Sequence, residues 1–317
     1  MTEIKIPLSV PSAKKSEYRR NYELLTNHSG KLLLLAGDQK IEHLNDDFFG
    51  SGIAPADNNP EHLFKIAQGV KGAVLATQLG LIARYGANYR SIPYVLKLNG
   101  KTNWGSNEEK NSSKPWYSVS EVLRFKKQSG LKIVGIGYTL YLGGKYEAEM
   151  LAQVAQAINE AHQNGLTAIL WVYPRGKNIK EEDLHTIAGG AGVAACLNAD
   201  FVKVKYPYQT KDKKLTAEKF QEVTNAAGRT KVICVGGAKR SVKEILEQLN
   251  NQINLGNSSG LAIGRNLHQR SLEEAINLGR ALGAIIFKGK NVKEASQIYQ
   301  GKHQLIKKSA SKFLGIF

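Results

Sequence analysis

The sequence predicts an α/β chain built as a (β/α)8 TIM barrel, with an N-terminal extension and a C-terminal helical tail. Three observations carry this reading. Short apolar runs alternate with amphipathic helical patterns through most of the chain, which implies a parallel sheet. Eight such units fit into about 250 residues, which favours a closed barrel over an open doubly wound sheet. The polar and special residues of each unit gather where its strand ends, the face on which such barrels carry their chemistry.

The elements follow in order. KLLLLAGDQ is the first strand, and the helical pattern PEHLFKIAQGV comes after a long insertion. GAVLAT with a helix from Leu79 to Tyr85 forms the second unit, and IPYVLKLNG opens the third. LKIVGIGYTLY leads into the helix KYEAEMLAQVAQAINEAHQNG, and LTAILWVYPRG into a helix near Glu181 to Leu197. ADFVKVKYP, TKVICVGGAK and GLAIGRN complete the strands, each followed by a helical pattern: TAEKFQEVTNAAG, SVKEILEQLNNQI and SLEEAINLGRALGAII. The chain divides into an extension (1–30), the barrel (31–288) and a basic tail (289–317). The loop NDDFFGSGIAPADNNP and the polar stretch NGKTNWGSNEEKNSSKPW both leave strand ends, so either could line or cover a site. The apolar end of KKSASKFLGIF is expected to dock on the protein or on a neighbouring subunit.

At 317 residues and 42% hydrophobic content the chain can bury a large core. No apolar run approaches the roughly 20 residues of a spanning helix, and the first residues lack the continuous apolar segment of a secretory signal. These features point to a soluble cytoplasmic protein with no membrane partner. Cys196 and Cys234 lie far apart with no CxxC spacing, and both are expected to fill core. The formal charge of +17 suits nucleic acid, an anionic small substrate, or a lysine-rich surface without further meaning. The lysines are spread along the chain with no aromatic-basic motif of the RNP type, so no nucleic-acid partner is expected.

DFVKVKYP puts Lys203 and Lys205 on one face of a strand, with Val202 and Val204 on the other. A half-exposed strand would show the same alternation with both amines in water. Inside a barrel, Val202 and Val204 pack on the helices and the lysines point to the axis. Burial, and a second ammonium one strand repeat away, about 7 Å, both lower an amine's pKa. A lysine neutral near pH 7 can attack a carbonyl and form a Schiff base. Trp171 and Tyr173 share a face of WVYPRG; they can wall off water and relay a proton, or simply pack. Asp38, closing a strand of leucines, pairs with an inward lysine or handles its protons. Other polar strand ends are Lys97 and Asn99. Gly236 and Gly237 with Lys239, and Gly264 with Arg265, close the last two strands as candidate phosphate ligands, and Lys205 is a further candidate for holding the substrate or its phosphate. GIGYTL has Leu140 where a dinucleotide fingerprint needs its third glycine. His43 and His62, beside Glu42 and Glu61, show no HExxH or similar ligand spacing, so neither metal nor cofactor is expected.

The ordered set GDQKIEH, LKLNGKTN, GYTLYLG, WVYPRG, ADFVKVKYP, GGAK and GRNLHQR, from about Leu32 to Ile286, resembles the class I fructose-bisphosphate aldolases of the archaeal type. These are the DhnA-like branch of the DeoC aldolase superfamily. The resemblance implies that Lys203 forms the Schiff base, that Tyr173 transfers protons, and that Asp38 and Trp171 belong to the site. It implies a phosphorylated sugar as substrate and a homo-oligomer, since rings of such subunits are the family's expectation. Related barrels with another substrate, the transaldolase-like hept-6-ulosonate synthases or the phospho-autoinducer thiolase, share the Schiff base. One departure stands out: Asp38-Gln39-Lys40 replaces the family's DHG or DQG.

Overall fold

A computed structural model describes residues 4–106, 109–207 and 212–301; the segment KKSASKFLGIF lies outside the described residues. Eight parallel strands close into a barrel in sequence order: β1 (Leu32–Ala36), β2 (Ala73–Gln78), β3 (Tyr94–Lys97), β4 (Ile133–Leu142), β5 (Thr167–Pro174), β6 (Phe201–Val204), β7 (Lys231–Val235) and β8 (Gly260–Ile263). Strand β8 returns to β1 with Leu33 opposite Leu261 and Leu35 opposite Ile263. Gly260, at φ +138°, makes this closure possible, since a Cβ there would lie 1.9 Å from the Leu32 carbonyl oxygen.

Both faces of each strand are covered, which is why the strands read as near-continuous apolar runs. The residues split by parity. Leu32, Leu34, Val95, Ile169, Phe201 and Ile233 meet inside the barrel, while Leu33, Leu35, Leu96, Leu170 and Val202 pack outward on the helices.

Thirteen α-helices surround and flank the described barrel: α1 (Lys15–Leu25), α2 (Gln39–Glu42), α3 (Glu61–Gly69), α4 (Leu79–Tyr85), α5 (Val119–Ser129), α6 (Glu147–Gln163), α7 (Leu184–Cys196), α8 (Lys213–Lys219), α9 (Gln221–Ala226), α10 (Val242–Asn254), α11 (Arg265–His268), α12 (Leu272–Lys288) and α13 (Val292–Tyr299). Helices α5, α10, α12 and α13 begin with capping boxes, Ser118/Glu121, Ser241/Glu244, Ser271/Glu274 and Asn291/Glu294. Helices α1 and α5 fall in segments the sequence reading leaves without elements.

Helix α1 plugs the N-terminal end of the barrel, with Leu25 buried among the inward residues of the strands and Tyr22 beside the Phe201 ring. Beneath it Asp200 gathers a buried network: the Tyr18 hydroxyl donates to one carboxylate oxygen, and the Ala168 amide (2.7 Å) and His162 Nε2 (3.1 Å) to the other. His162 Nδ1 then accepts from Ser9 Oγ at 2.8 Å, tying the extension to the barrel floor. The cysteines divide against expectation. Cys234 on β7 is core, its thiol pushed up to about 12 by burial, whereas Cys196 at the end of α7 is exposed. No described helix is long and apolar enough to cross a membrane.

Candidate active site

Lys203 occupies the middle of β6, between Trp171 on β5 and Ile233 on β7, and is 4% exposed. Its parity matches that of Phe201, so the amine enters the barrel rather than the helical layer. Lys97 ends β3 with the same inward parity as Val95 and is fully buried. Both amines lie over the indole of Trp171, Lys97 Nζ 4.2 Å and Lys203 Nζ 5.1 Å from the ring centroid. Gly137 on β4 clears the space, because a Cβ there would stand 2.7 Å from the Trp171 ring and 2.9 Å from Lys97 Cδ. Lys97 Nζ donates to Thr139 Oγ1 at 2.5 Å and lies 3.8 Å from Asp38 Oδ2. Asp38, 2% exposed, leads from β1 into the one-turn helix α2, which ends at Glu42.

Burial is the largest influence on each amine. It lowers Lys203, against the opposing fields of Asp38 and Glu42. It lowers Lys97 to about 8, helped by the Lys203 ammonium and opposed by Asp38 and Glu42. Burial also raises Glu42; the Asp38 charge adds to this, while both lysines and His43 pull it back. The Tyr173 phenol is raised by burial and then by Glu42 and Asp38, so at neutral pH it holds its proton. The Tyr173 and Tyr141 rings stack at 6.0 Å, and the Arg175 guanidinium lies 4.9 Å from the first and 5.2 Å from the second. Chemically, the barrel offers desolvated amines that can attack a carbonyl, two carboxyl groups that can hold or move a proton, and a protonated phenol.

The expectation that Lys205 stands beside Lys203 and tunes it is corrected by the strand's length. Strand β6 ends at Val204, so alternation no longer governs Lys205; its amine reaches Glu181 (3.0 Å) and Glu182 (3.5 Å) and is partly exposed. The cation that acts on the same space as Lys203 is Lys97. It was legible through the parity rule that picked out Lys203. Glu42, considered in the sequence only as a metal neighbour, had no comparable signal, because a single helical turn has no periodicity.

The candidate phosphate residues sit at the ends of β7 and β8. Asn266 Nδ2 donates to the carbonyls of Gly236 (3.0 Å), Gly237 (3.2 Å) and Ala238 (2.8 Å). In planar trans peptides the following amides, of Gly237, Ala238 and Lys239, then point away from Asn266 on the other side of the turn. A Cβ on Gly264 would lie 1.8 Å from Gln39 Oε1, so this glycine admits the residue that follows Asp38. Arg265 Nε lies 3.7 Å from Asp47, a carboxylate 2.6 Å from His43 Nδ1. Lys239 Nζ donates to the carbonyls of Gly52 (2.6 Å) and Gln269 (3.3 Å), which fastens the loop after β1 over this corner. Among the described residues no group of three His, Cys, Asp or Glu side chains could hold a metal ion. His62 faces the carbonyls of His268 and Arg270, well occupied without one.

A barrel with lysines buried at its axis and glycine turns at the mouth is the arrangement of a Schiff-base enzyme, and residues 32–270 match the DeoC/LacD family aldolase model: the chain belongs to that family. More particularly, it is 51% identical over 300 residues, 94% of this chain and 95% of the relative, to the "Fructose-bisphosphate aldolase/6-deoxy-5-ketofructose 1-phosphate synthase" of Methanocaldococcus jannaschii. It is 33% identical to the class 1 fructose-bisphosphate aldolase of Halobacterium salinarum, over 85% of this chain and 95% of that protein. Among solved structures, a fructose-bisphosphate aldolase from Slackia heliotrinireducens superimposes with a TM-score of 0.91 at 45% identity, covering 95% of both chains. An archaeal fructose-1,6-bisphosphate aldolase, described with its catalytic lysine covalently bound to the carbinolamine intermediate, gives 0.72 at 29% identity, covering 85% of this chain and 99% of that one.

Proposed function

We propose that this protein is a class I aldolase that reversibly cleaves fructose 1,6-bisphosphate to dihydroxyacetone phosphate and glyceraldehyde 3-phosphate, with Lys203 as nucleophile. The observation that carries the reading is the Lys203 amine buried at the barrel axis over the Trp171 ring, lowered by that burial and facing the field of Asp38. Neutral Lys203 attacks C2 of the open-chain ketose. The carbinolamine loses water, with Asp38 or Tyr173 supplying the proton, and leaves an iminium. The C4 hydroxyl gives up its proton, the C3–C4 bond breaks, and its electron pair flows into the iminium to form an enamine. Tyr173 mediates that transfer, and Glu42 is the carboxylate to which the proton can pass. Protonation at C3 and hydrolysis then release the second product and regenerate the amine.

Trp171 keeps the amine dry. Gly236, Gly237, Gly264 and Arg265 hold a phosphate so that binding energy orients the reacting bond. Lys205 and Lys239 serve in this reading as accessory cations; each is engaged by protein groups that a phosphate would have to displace. No metal or cofactor takes part in this scheme. The setting we propose is cytoplasmic glycolysis and gluconeogenesis, in a homo-oligomer, supported by the family resemblance; sedimentation reads the oligomer directly.

The Methanocaldococcus relative's double name favours a second reading, in which the same enamine is passed to another aldehyde to give a phosphorylated deoxyketose. Both begin with the same test. Borohydride reduction with dihydroxyacetone phosphate should place one adduct on the peptide containing Lys203, and Lys203→Ala should abolish it while the protein stays folded. An adduct on Lys97 or Lys205, or none, would overturn the assignment. Product analysis with fructose bisphosphate then separates the two substrates.

A further inference from the structure

The barrel has a second concavity, at the end opposite the chemistry. Residues Ile4–Ser9, helix α1 and the turns entering β6 and β7 enclose about 960 Å³, within the range of small-molecule sites. Its apolar wall comes from Ile4, Ile6 and Pro7 and from the rings of Tyr18 and Tyr22. Its charged groups are Lys5, Arg229 and Lys231 on one side of the balance and Glu23 and Asp200 on the other, with the His28 ring beside them.

The two carboxylates are already engaged. Glu23 stands 3.9 Å from His28, and both oxygens of Asp200 accept from Tyr18, Ala168 and His162. Among the described residues no carboxylate lies within 4 Å of Lys5, Arg229 or Lys231. At this edge burial lowers the Lys31 amine, and the Lys231 charge adds to it. The wall itself is fixed, since Ser9 is held by His162, by Asn198 Nδ2 at 2.9 Å and, through its carbonyl, by Gln163 Nε2 at 2.9 Å.

We propose that this cavity under the barrel is a binding site for a small polyphosphate-class anion, held by Arg229, Lys231 and Lys5, with room for an organic body against Tyr22 and the Ile4–Pro7 wall. The site is separate from the mouth of the barrel, because its walls belong to the N-terminal ends of β6 and β7 whereas Arg265 and Gly236 follow the C-terminal ends of β8 and β7. Two uncompensated cations meeting a divalent anion form charge-assisted contacts, each contributing roughly tenfold in affinity.

The test is calorimetric titration of the full chain with inorganic pyrophosphate at low salt, for the wild type, Arg229→Glu/Lys231→Glu and Arg265→Ala. Binding should persist in Arg265→Ala and weaken about a hundredfold or more in the charge-reversed variant, whose aldol cleavage rate stays at the wild-type value. If reversal unfolds the chain, Arg229→Gln/Lys231→Gln should still show about a hundredfold loss, tenfold for each contact removed. Unchanged affinity in the folded double variant, or loss of all binding in Arg265→Ala, would overturn the proposal and assign the anion to the mouth. The titration reads binding alone, so its outcome does not depend on the aldolase reading.

Discussion

Replacing Lys97 by methionine keeps the length of the side chain and removes its charge from the barrel axis. Lys97 Nζ and Lys203 Nζ lie 4.2 and 5.1 Å from the same indole centroid, so the amines are no more than about 9 Å apart. At an effective dielectric of about 20, two like charges at that distance repel by about 2 kcal/mol, just over one pK unit. A second effect has the same sign. Asp38, 3.8 Å from Lys97, loses its ion partner, and its field already raises Lys203. Lys97→Met should therefore raise the Lys203 pKa by about one unit or more. Only the neutral amine attacks the ketone, so at a fixed pH below that pKa the rate of adduct formation falls about tenfold per unit. The whole profile moves to higher pH and its alkaline plateau is kept. The assay is borohydride trapping with dihydroxyacetone phosphate, followed by mass spectrometry, from about pH 5 to 10. Lys205→Met is the control; with its amine held by Glu181 and Glu182 outside the strand, it should leave the profile in place. A superimposable profile for Lys97→Met, or a shift produced by Lys205→Met alone, would refute the reasoning.

Tyr173→Phe should still trap the ketose phosphate but cleave fructose bisphosphate roughly a hundredfold or more slowly, as expected for the loss of a positioned proton-transfer group; single-turnover cleavage with parallel trapping checks both. Activity should survive exhaustive treatment with EDTA, since the iminium serves as the electron sink; a loss restored by zinc would contradict the Schiff-base scheme. Gly137→Ala inserts a methyl where a Cβ would lie 2.7 Å from Trp171 and 2.9 Å from Lys97, and should cost about 1–3 kcal/mol of stability and slow trapping. A thermal melt and trapping rate equal to wild type would show that the indole can retreat freely.

The barrel was legible because strands covered on both faces leave long apolar runs, and eight of them fit only one closed arrangement. Parity was enough to place Lys203 and Trp171 inside. It failed at Lys205 because alternation is a property of the strand, and β6 stops one residue earlier. Helix α5 went unread although Ser118 and Glu121 form a capping box ahead of its apolar face; the polar stretch before it masked the start. Glu42 was invisible for a different reason. Its nearness to the amines is set by a single turn after Asp38, and such placement is a tertiary fact. The same holds for Lys239, whose basic character suggested a phosphate ligand while its partners are carbonyls from two distant segments.

The bond from Tyr18 to Asp200 joins residues 182 apart, and this separation sets an order on synthesis. Helix α1 is made before the carboxylate it docks on, by roughly ten to forty seconds at ordinary translation rates. Over that interval Tyr18, Tyr22 and Leu25, which end up beneath the strands, have no partner surface to cover them. Strand β1 waits longer still, for Gly260 to bring β8 alongside. The growing chain thus carries a helix with one buried face, Tyr18, Asn21 and Leu25, and a leucine strand, both of whose native contacts are almost all downstream. That makes helix α1 and strand β1 the natural point of engagement for a ribosome-associated chaperone.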